Sequence, residues 1–261
     1  MRPVRRGASP FQNKLSNYKD AKTDLISRIS KGEYKGIHVA SYCSYCERPI
    51  KQNLAVEHIQ PKKGKYAKPE LEVSWSNFLL SCVNCNSTKG SRGVFFDYLF
   101  FPDRDNTFNA FVYSPDGRVI ANPNNGVAVQ NVAKNTLWLT GLDKDSDETL
   151  DINGNLIALD RVSQRMEVWG IAEMHLDMYI RNADNNDIKD AIVFMMLSSG
   201  YFSIWMTIFS EYPEMTTKFI DSISGTRESG CFDGGNNNSP KRHNNADNLP
   251  ISKFKQSCDK V

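Results

Sequence analysis

The segments CSYC (residues 43–46) and CVNC (residues 82–85) repeat one pattern within a chain of 261 residues. A tight C-x-x-C turn can present two thiolates to one ion at about 2.3 Å, and two such turns complete a tetrahedral structural zinc site. An iron–sulfur cluster or a redox pair would use the same residue type, but the paired spacing favours zinc. The sequence therefore predicts a closed site made by four thiolates: Cys43, Cys46, Cys82 and Cys85.

Between the two pairs, the segment VEHIQPK (residues 56–62) places a glutamate beside a histidine. Taken alone, such a histidine is most often packed and hydrogen-bonded for structural reasons. The full order is more specific: C-x-x-C, then E-H-I-x-P, then N-x-L-L-x-C-x-x-C-N-x-x-K-G. This order places two asparagines, Asn77 and Asn86, at fixed distances from the second cysteine pair.

This order resembles the HNH endonuclease family in its four-cysteine, zinc-bound form, over roughly Tyr42 to Arg92. The resemblance implies a ββα-metal core, in which two strands and a helix surround one catalytic divalent ion. It also implies that His58 is the general base, that Glu57 and Asn86 are ligands of the catalytic Mg²⁺ or Mn²⁺, and that Asn77 orients the histidine.

The residue types suit phosphodiester hydrolysis without the family name. A histidine with an ordinary pKa near 6.5 can take a proton from water at neutral pH, and carboxylate and amide oxygens are ligands that Mg²⁺ prefers. Adjacent residues on a regular strand point to opposite faces. Glu57 and His58 can therefore act together only if the backbone departs from a strand there, as Pro61 suggests.

Charge is divided unevenly along the chain. Residues 1–93 carry 17 Lys and Arg against 7 Asp and Glu, a net charge of +10, whereas the remainder carries a net charge of −8. A basic first third is typical of a surface that meets a polyanion. Basic residues around the cysteine pairs are expected to contact phosphates without reading base sequence: Lys62, Lys63, Lys65, Lys89 and Arg92.

The expected fold class is α+β, an HNH core with a mainly α-helical C-terminal portion. We divide the chain into a basic N-terminal leader and helix (1–36), a zinc-stapled nuclease module (37–93) and a mainly helical partner-docking portion (94–233). That portion contains a hairpin near 110–121. A polar tail (234–261) is expected to be disordered.

Four segments spread over most of residues 1–233 carry a wider likeness: MRPVRRGASP (1–10), YCSYCERPI (42–50), GYFSIWMTIF (200–209) and GTRESGCFD (225–233). Together they resemble the HNH nuclease subunits of Septu antiphage systems, the PtuB group, including those associated with retrons. This resemblance implies an ATPase partner of the PtuA type, and in the retron setting a reverse transcriptase and its nucleic acid. It also implies an antiphage effector that cuts DNA or a tRNA-like RNA only after infection is sensed. No phosphate-binding loop for ATP is present in this sequence.

Two other functions remain open. The zinc knuckles could form a non-catalytic module that binds nucleic acid or a partner, although such a module needs no Glu57, His58 or Asn86 at these spacings. A free-standing restriction or homing-type enzyme would need its own DNA-gripping domain, and the net charge of −8 over residues 94–261 argues against one.

The N-terminal basic residues are not followed by an apolar segment like that of a secretory signal. The most apolar run, AIVFMML at 191–197, is far shorter than the roughly 20 residues needed to cross a bilayer. We therefore expect a cytoplasmic protein without membrane contact. In that reducing compartment, paired cysteines indicate metal rather than disulfides; Cys231 and Cys258 lack metal spacing and receive no role.

Overall fold

The structure, a computed structural model, describes residues 1–144, 161–244 and 249. Its α-helices are α1 (Lys22–Leu25), α2 (Val83–Lys89), α3 (Thr107–Ala110), α4 (Val127–Thr140), α5 (Arg161–Arg181), α6 (Asn186–Ser199), α7 (Phe202–Ile208) and α8 (Pro213–Asp221). The strands are β1 (Lys31–Tyr34), β2 (Ile37–Ser41), β3 (Ala55–His58), β4 (Phe78–Ser81), β5 (Phe111–Tyr113), β6 (Val119–Ala121), β7 (Phe232–Asp233) and β8 (Ser239–Pro240). They pair consecutively into two-stranded sheets. The predicted α+β class is confirmed.

The nuclease core consists of β3, β4 and α2. The two strands are antiparallel, with Val56 opposite Leu80 and His58 opposite Phe78. Every residue of β4 is buried, which fits a short apolar strand covered on both faces. Cys82 directly follows β4 and is the N-cap of α2, so strand and helix meet at a cysteine of the second pair. This order gives the ββα core that the family resemblance implies.

The N-terminal residues are packed into the protein, so Arg2 and Arg6 do not belong to the basic surface expected of the first third of the chain. Met1 and Val4 are fully buried, and the guanidinium groups of Arg2 and Arg6 are buried as well. Arg2 donates hydrogen bonds to the carbonyls of Ile29 and Ser224 and to the hydroxyl of Thr226. Buried charges require such partners, and here backbone oxygens provide them. These basic residues are thus structural.

The predicted boundary at residue 36 is also wrong, because it divides a hairpin. Strands β1 and β2 pair across it, with Tyr34 opposite Ile37. Before this hairpin, helical turns run without a break through a 3₁₀ segment (Tyr18–Ala21), α1 and a π-helical segment (Ile26–Ser30). Tyr18 at the start of this run lies against the nuclease core.

Glu47 joins the first zinc knuckle (residues 43–46) to the helical portion by hydrogen bonds. This residue has a positive φ of 63°, and its buried carboxylate accepts hydrogen bonds from the backbone N–H and the hydroxyl of Ser203, near the start of α7. Its carbonyl accepts from the N–H of Tyr201. A carboxylate at a helix N-terminus is favoured by the unpaired N–H groups there. The knuckle and α7 are therefore packed as one unit.

Gly200 separates α6 from α7 in a conformation that only glycine adopts readily, with φ 73° and ψ −150°. A Cβ at this position would lie 2.8 Å from the Glu47 carbonyl oxygen and 2.5 Å from the Pro49 side chain. We expect Gly200→Ala to lower the free energy of unfolding by about 2–3 kcal/mol. Thermal and denaturant unfolding would measure this.

Gly170 provides the matched control. It lies exposed within α5, and a Cβ there meets nothing within 4 Å. Alanine at this position is expected to raise stability by about 0.5–1 kcal/mol, because glycine is a poor helix former. Equal effects of the two substitutions would contradict the role assigned to Gly200.

The start of the predicted disordered tail is folded. β8 pairs with β7, and the buried ring of His243 hydrogen-bonds through Nε2 to the Val4 carbonyl. Residues 245–248 and 250–261, including Cys258, lie outside the described residues, as do residues 145–160 of the predicted docking portion. Within the described ranges, no helix has the length and apolar composition needed to span a membrane.

Candidate active site

The four cysteines of the paired motifs lie together, as predicted. All their Sγ atoms are within 4.8 Å of one another, and every one of these residues is buried. The Sγ atoms of Cys46 and Cys82 are 3.8 Å apart, which is about the sulfur–sulfur spacing of a tetrahedron with zinc–sulfur bonds of about 2.3 Å. The donor set therefore fits a closed structural metal site of the zinc type.

Local structure shapes both knuckles for this site. In the first, the Cys43 N–H donates to the Arg48 carbonyl, and the Glu47 N–H donates to the Cys43 carbonyl. In the second, the Cys85 N–H donates to the Cys82 sulfur across the first turn of α2. Thiol hydrogen bonds, led by that from Cys43, hold the pKa of Cys82 well below its usual range. A thiolate, the species that binds metal, is thereby favoured.

His58 ends β3 and is half-buried between two aromatic rings. Its ring centroid lies 4.7 Å from that of Tyr18 and 5.3 Å from that of Phe78, both in edge-to-face geometry. Its Nε2 is 2.8 Å from the Glu72 carbonyl oxygen. Because a carbonyl only accepts, Nε2 carries the hydrogen and Nδ1 of the neutral ring keeps a free lone pair. Burial lowers the pKa of His58, and the Lys62 ammonium lowers it further.

Asn77 braces the loop between His58 and β4. Its Oδ1 accepts from the Gln60 N–H at 2.7 Å, and its Nδ2 donates to the carbonyls of Gln60 and Leu71. Leu71 immediately precedes Glu72, whose carbonyl holds the His58 ring. One buried amide thus fixes the chain on both sides of the histidine's hydrogen-bond acceptor.

The structure does not bring Glu57 to the face of His58, contrary to the prediction for a shared metal site. β3 remains a regular strand through both residues, so their side chains point to opposite faces. Glu57 is 1% exposed, and its carboxylate pairs with the Lys89 ammonium at 2.8 Å. Its other oxygen accepts from the Tyr45 hydroxyl at 3.0 Å.

Lys89 is likewise not a phosphate contact, which corrects its predicted role. Its side chain is buried, and besides Glu57 its ammonium donates to the His58 carbonyl at 2.8 Å. The pair of Glu57 and Lys89 therefore ties α2 to the end of β3 that carries the histidine. Sequence reasoning missed this connection because lysine is almost never buried unless it is paired.

The other predicted nucleic-acid contacts remain accessible to different degrees. Lys62 pairs with Glu72 at 2.9 Å and lies over the Tyr18 ring. Lys63 and Lys65 are exposed, and Arg92 is half-buried. Tyr18 and Glu72, which contact His58 directly, were not predicted, because neither carries a motif and one acts through its backbone.

Of the two predicted ligands of the catalytic ion, only Asn86 is accessible as the side chains are arranged. Asn86 is exposed on α2, but both Glu57 oxygens are engaged away from solvent, so Glu57 could ligate an ion only by exchanging Lys89 and Tyr45. Within the described part of the chain, the cysteine site is the one cluster of three or more His, Cys, Asp or Glu ligand atoms. The catalytic candidate that stays accessible is the half-buried imidazole of His58, which is held by the loop that Asn77 braces.

Comparison with known proteins agrees with this geometry. A family model for HNH endonucleases matches residues 43–92. A candidate HNH endonuclease of retron Vc95 from Vibrio cholerae serotype O1 biovar El Tor is 42% identical over 45 residues, which are 17% of this chain and 22% of that protein. The match thus spans about a fifth of the relative's length. Residues 43–92 are therefore an HNH endonuclease domain, built on the ββα core and the four-cysteine site.

Proposed function

We propose that the protein is a metal-dependent HNH endonuclease that hydrolyses phosphodiester bonds in DNA or a tRNA-like RNA, with His58 as general base. The hydrogen bond from His58 Nε2 to the Glu72 carbonyl carries this proposal. It leaves Nδ1 as the basic nitrogen on a half-buried ring. A histidine placed only for packing would not need a loop braced by Asn77 to hold its acceptor.

In the proposed reaction, His58 Nδ1 takes a proton from water as the water oxygen bonds to phosphorus. The bond from phosphorus to the 3′ oxygen breaks, and that oxygen leaves with the bonding electron pair. Partial burial lowers the pKa of His58, so the neutral ring predominates at neutral pH. Asn77 keeps the imidazole oriented through Gln60 and Leu71.

A divalent ion, Mg²⁺ or Mn²⁺, would supply Lewis-acid stabilisation of the phosphate and the leaving oxygen. Asn86 is the ligand proposed from the exposed face of α2. We route no step through Glu57, because its carboxylate is paired with Lys89. The ion requirement is measured directly by assaying cleavage with and without each metal.

His58→Ala is expected to reduce cleavage by about 10²- to 10⁴-fold, the range for loss of a general base. The assay uses purified protein with plasmid DNA and with bulk tRNA, with and without Mg²⁺ or Mn²⁺. His38→Ala is the matched control, since His38 is an exposed histidine on β2 outside the site. It should cleave as wild type does.

Wild-type cleavage is also expected to persist below pH 6.5 and to fall only as pH passes through the lowered pKa of His58. Cleavage that is undiminished in His58→Ala would overturn the assignment of this residue. Metal-independent binding without cleavage, under all conditions and with the partner present, would favour the non-catalytic zinc-knuckle module instead.

We further propose that the enzyme is the effector of an antiphage complex, docked through its acidic helical portion on a PtuA-type ATPase. In a retron setting, the complex would also include a reverse transcriptase and its nucleic acid. The retron association in the relative's name and the net charge of −8 over residues 94–261 support this. Co-expression should yield a stable complex whose rate of cleavage differs from that of the nuclease alone; an ATPase that neither binds nor alters cleavage would refute the partnership.

A further inference from the structure

The exposed aromatic side chains of the described residues are gathered in one place. Twelve large hydrophobic residues are exposed among all the described residues, and the aromatic ones among the twelve are between 42% and 59% exposed. All of these aromatic residues line a single pocket: Tyr66, Phe95, Tyr98 and Trp138. Soluble proteins rarely leave such a cluster uncovered without a binding role. We call it the aromatic pocket.

The aromatic pocket also contains a planar cation. The guanidinium carbon of Arg92 lies 4.5 Å from the centre of the Trp138 ring, and the same group donates to the Trp138 carbonyl. No carboxylate lines the pocket, and the Lys65 ammonium lies 5.5 Å from the centre of the Tyr66 ring. The aromatic pocket therefore carries positive charge, which is complementary to a polyanion.

The shape of the pocket is built into the backbone. A Cβ on Gly93 would lie 2.9 Å from the Phe95 ring and 3.1 Å from the Tyr66 ring, so glycine lets these rings meet edge to face. Asn135 on α4 donates to the Tyr98 carbonyl and ties the opposite side in place. The pocket encloses about 340 Å³, within the usual range of small-ligand sites.

The aromatic pocket belongs to the same structural unit as the proposed catalytic histidine. Gln60, two residues after His58, donates from its side chain to the Val94 carbonyl, and Val94 lies between Gly93 and Phe95 of the pocket. Tyr66 comes from the loop that Asn77 braces. A group held in the pocket is therefore held by the elements that position His58.

From this arrangement we propose that the aromatic pocket binds an unpaired nucleobase of the substrate, stacked on its aromatic rings beside the Arg92 guanidinium. Aromatic rings combined with arginine bind single-stranded nucleic acid in this way, and a base within an intact duplex cannot enter. The preferred substrate is then single-stranded, or carries an unpaired nucleotide near the cleavage site. This inference rests on the proposed nuclease function and defines the substrate class.

The test measures binding separately from cleavage. The full-length protein carrying His58→Ala, which retains the nucleic acid uncut, is titrated against labelled DNA and RNA oligonucleotides by fluorescence anisotropy. Each is supplied as a single strand, as a perfect duplex and as a duplex with one bulged nucleotide. Trp138→Ala in this background is expected to weaken binding to the single strand and the bulged duplex about tenfold to hundredfold, and to the perfect duplex less than about twofold.

Conservative variants separate stacking from charge and from folding. Trp138→Phe keeps a ring and should retain most of the affinity, whereas Arg92→Lys keeps the charge but loses the flat stacking surface and should weaken unpaired substrates selectively. If Trp138→Ala melts at a lower temperature than wild type, Phe95→Ala, at an exposed position, replaces it.

Two results would overturn the inference while leaving the nuclease function intact. One is an equal loss of affinity for all three shapes, which would indicate phosphate contacts only. The other is unchanged affinity in every pocket variant, which would leave the pocket to a protein partner. Failure of the nuclease function itself would appear instead as wild-type protein that binds nucleic acid but never cleaves it.

Discussion

Removing the metal from the four-cysteine site is expected to unfold the HNH domain rather than only to slow cleavage. Structural zinc contributes apparent free energies of about 10–16 kcal/mol in small zinc domains, whereas a whole protein is stable by about 5–15 kcal/mol. Cys82→Ser should show the same effect, because it removes one of the four predicted thiolate ligands. Serine can still accept the hydrogen bond from the Cys85 N–H that caps α2, so a loss of stability in this variant reports on the metal site.

The measurement compares zinc content, circular dichroism and thermal unfolding before and after treatment with a strong chelator. Cys231→Ser is the matched control, since Cys231 is also buried but lies outside the cluster, and this variant should retain zinc. Metal-free protein that melts at the same temperature as the untreated protein would contradict a structural zinc. Withdrawal of Mg²⁺ alone should leave the melting temperature unchanged.

Breaking the buried pair of Glu57 and Lys89 is expected to have the second largest effect. Lys89→Met leaves the Glu57 carboxylate charged in the interior, which costs about 3–5 kcal/mol. It also removes the ammonium that donates to the His58 carbonyl, so we expect the cleavage rate of the protein that remains folded to fall as well. Denaturant unfolding measures the loss of stability. Lys63→Met, at an exposed lysine of the same domain, should change stability by less than about 0.5 kcal/mol.

Glu57→Gln combined with Lys89→Met distinguishes a structural pair from a metal ligand. Because neither remaining group carries a charge, the double variant should recover much of the stability lost in Lys89→Met. If it folds and cleaves, Glu57 is not required as a ligand. A folded Glu57→Gln protein that binds substrate but has lost its metal-dependent cleavage would instead restore the ligand role and show that the pair opens during catalysis.

The metal site could be predicted because its chemistry fixes spacings along the chain. A knuckle needs two cysteines three residues apart, and this requirement is visible without any tertiary information. The ββα core was expected from the resemblance to the HNH family, which depends on the order of the motifs between the two knuckles.

Other parts of the site depend on contacts that no local pattern records. The hydrogen bond from His58 to Glu72 uses a backbone carbonyl, which any residue type provides, and Lys89 reaches Glu57 from a different element. The alternation of a regular strand places Glu57 on the opposite face from His58, because β3 stays regular through both residues and ends only at His58. The burial of Arg2 could not be predicted from the sequence either, since its hydrogen-bond partners include two backbone carbonyls.

The hydrogen bonds of Glu47 determine whether the nuclease domain can be separated from the rest of the chain. The knuckle that supplies the first two cysteines also supplies the carboxylate that caps α7, so the boundaries of the family match do not coincide with a unit that can be separated. A fragment containing only residues 43–92 would leave that carboxylate without Ser203 and would remove Phe101 from the ring of Tyr45, which is buried in the intact chain. Transfer of this nuclease to another protein therefore has to carry its helices with it.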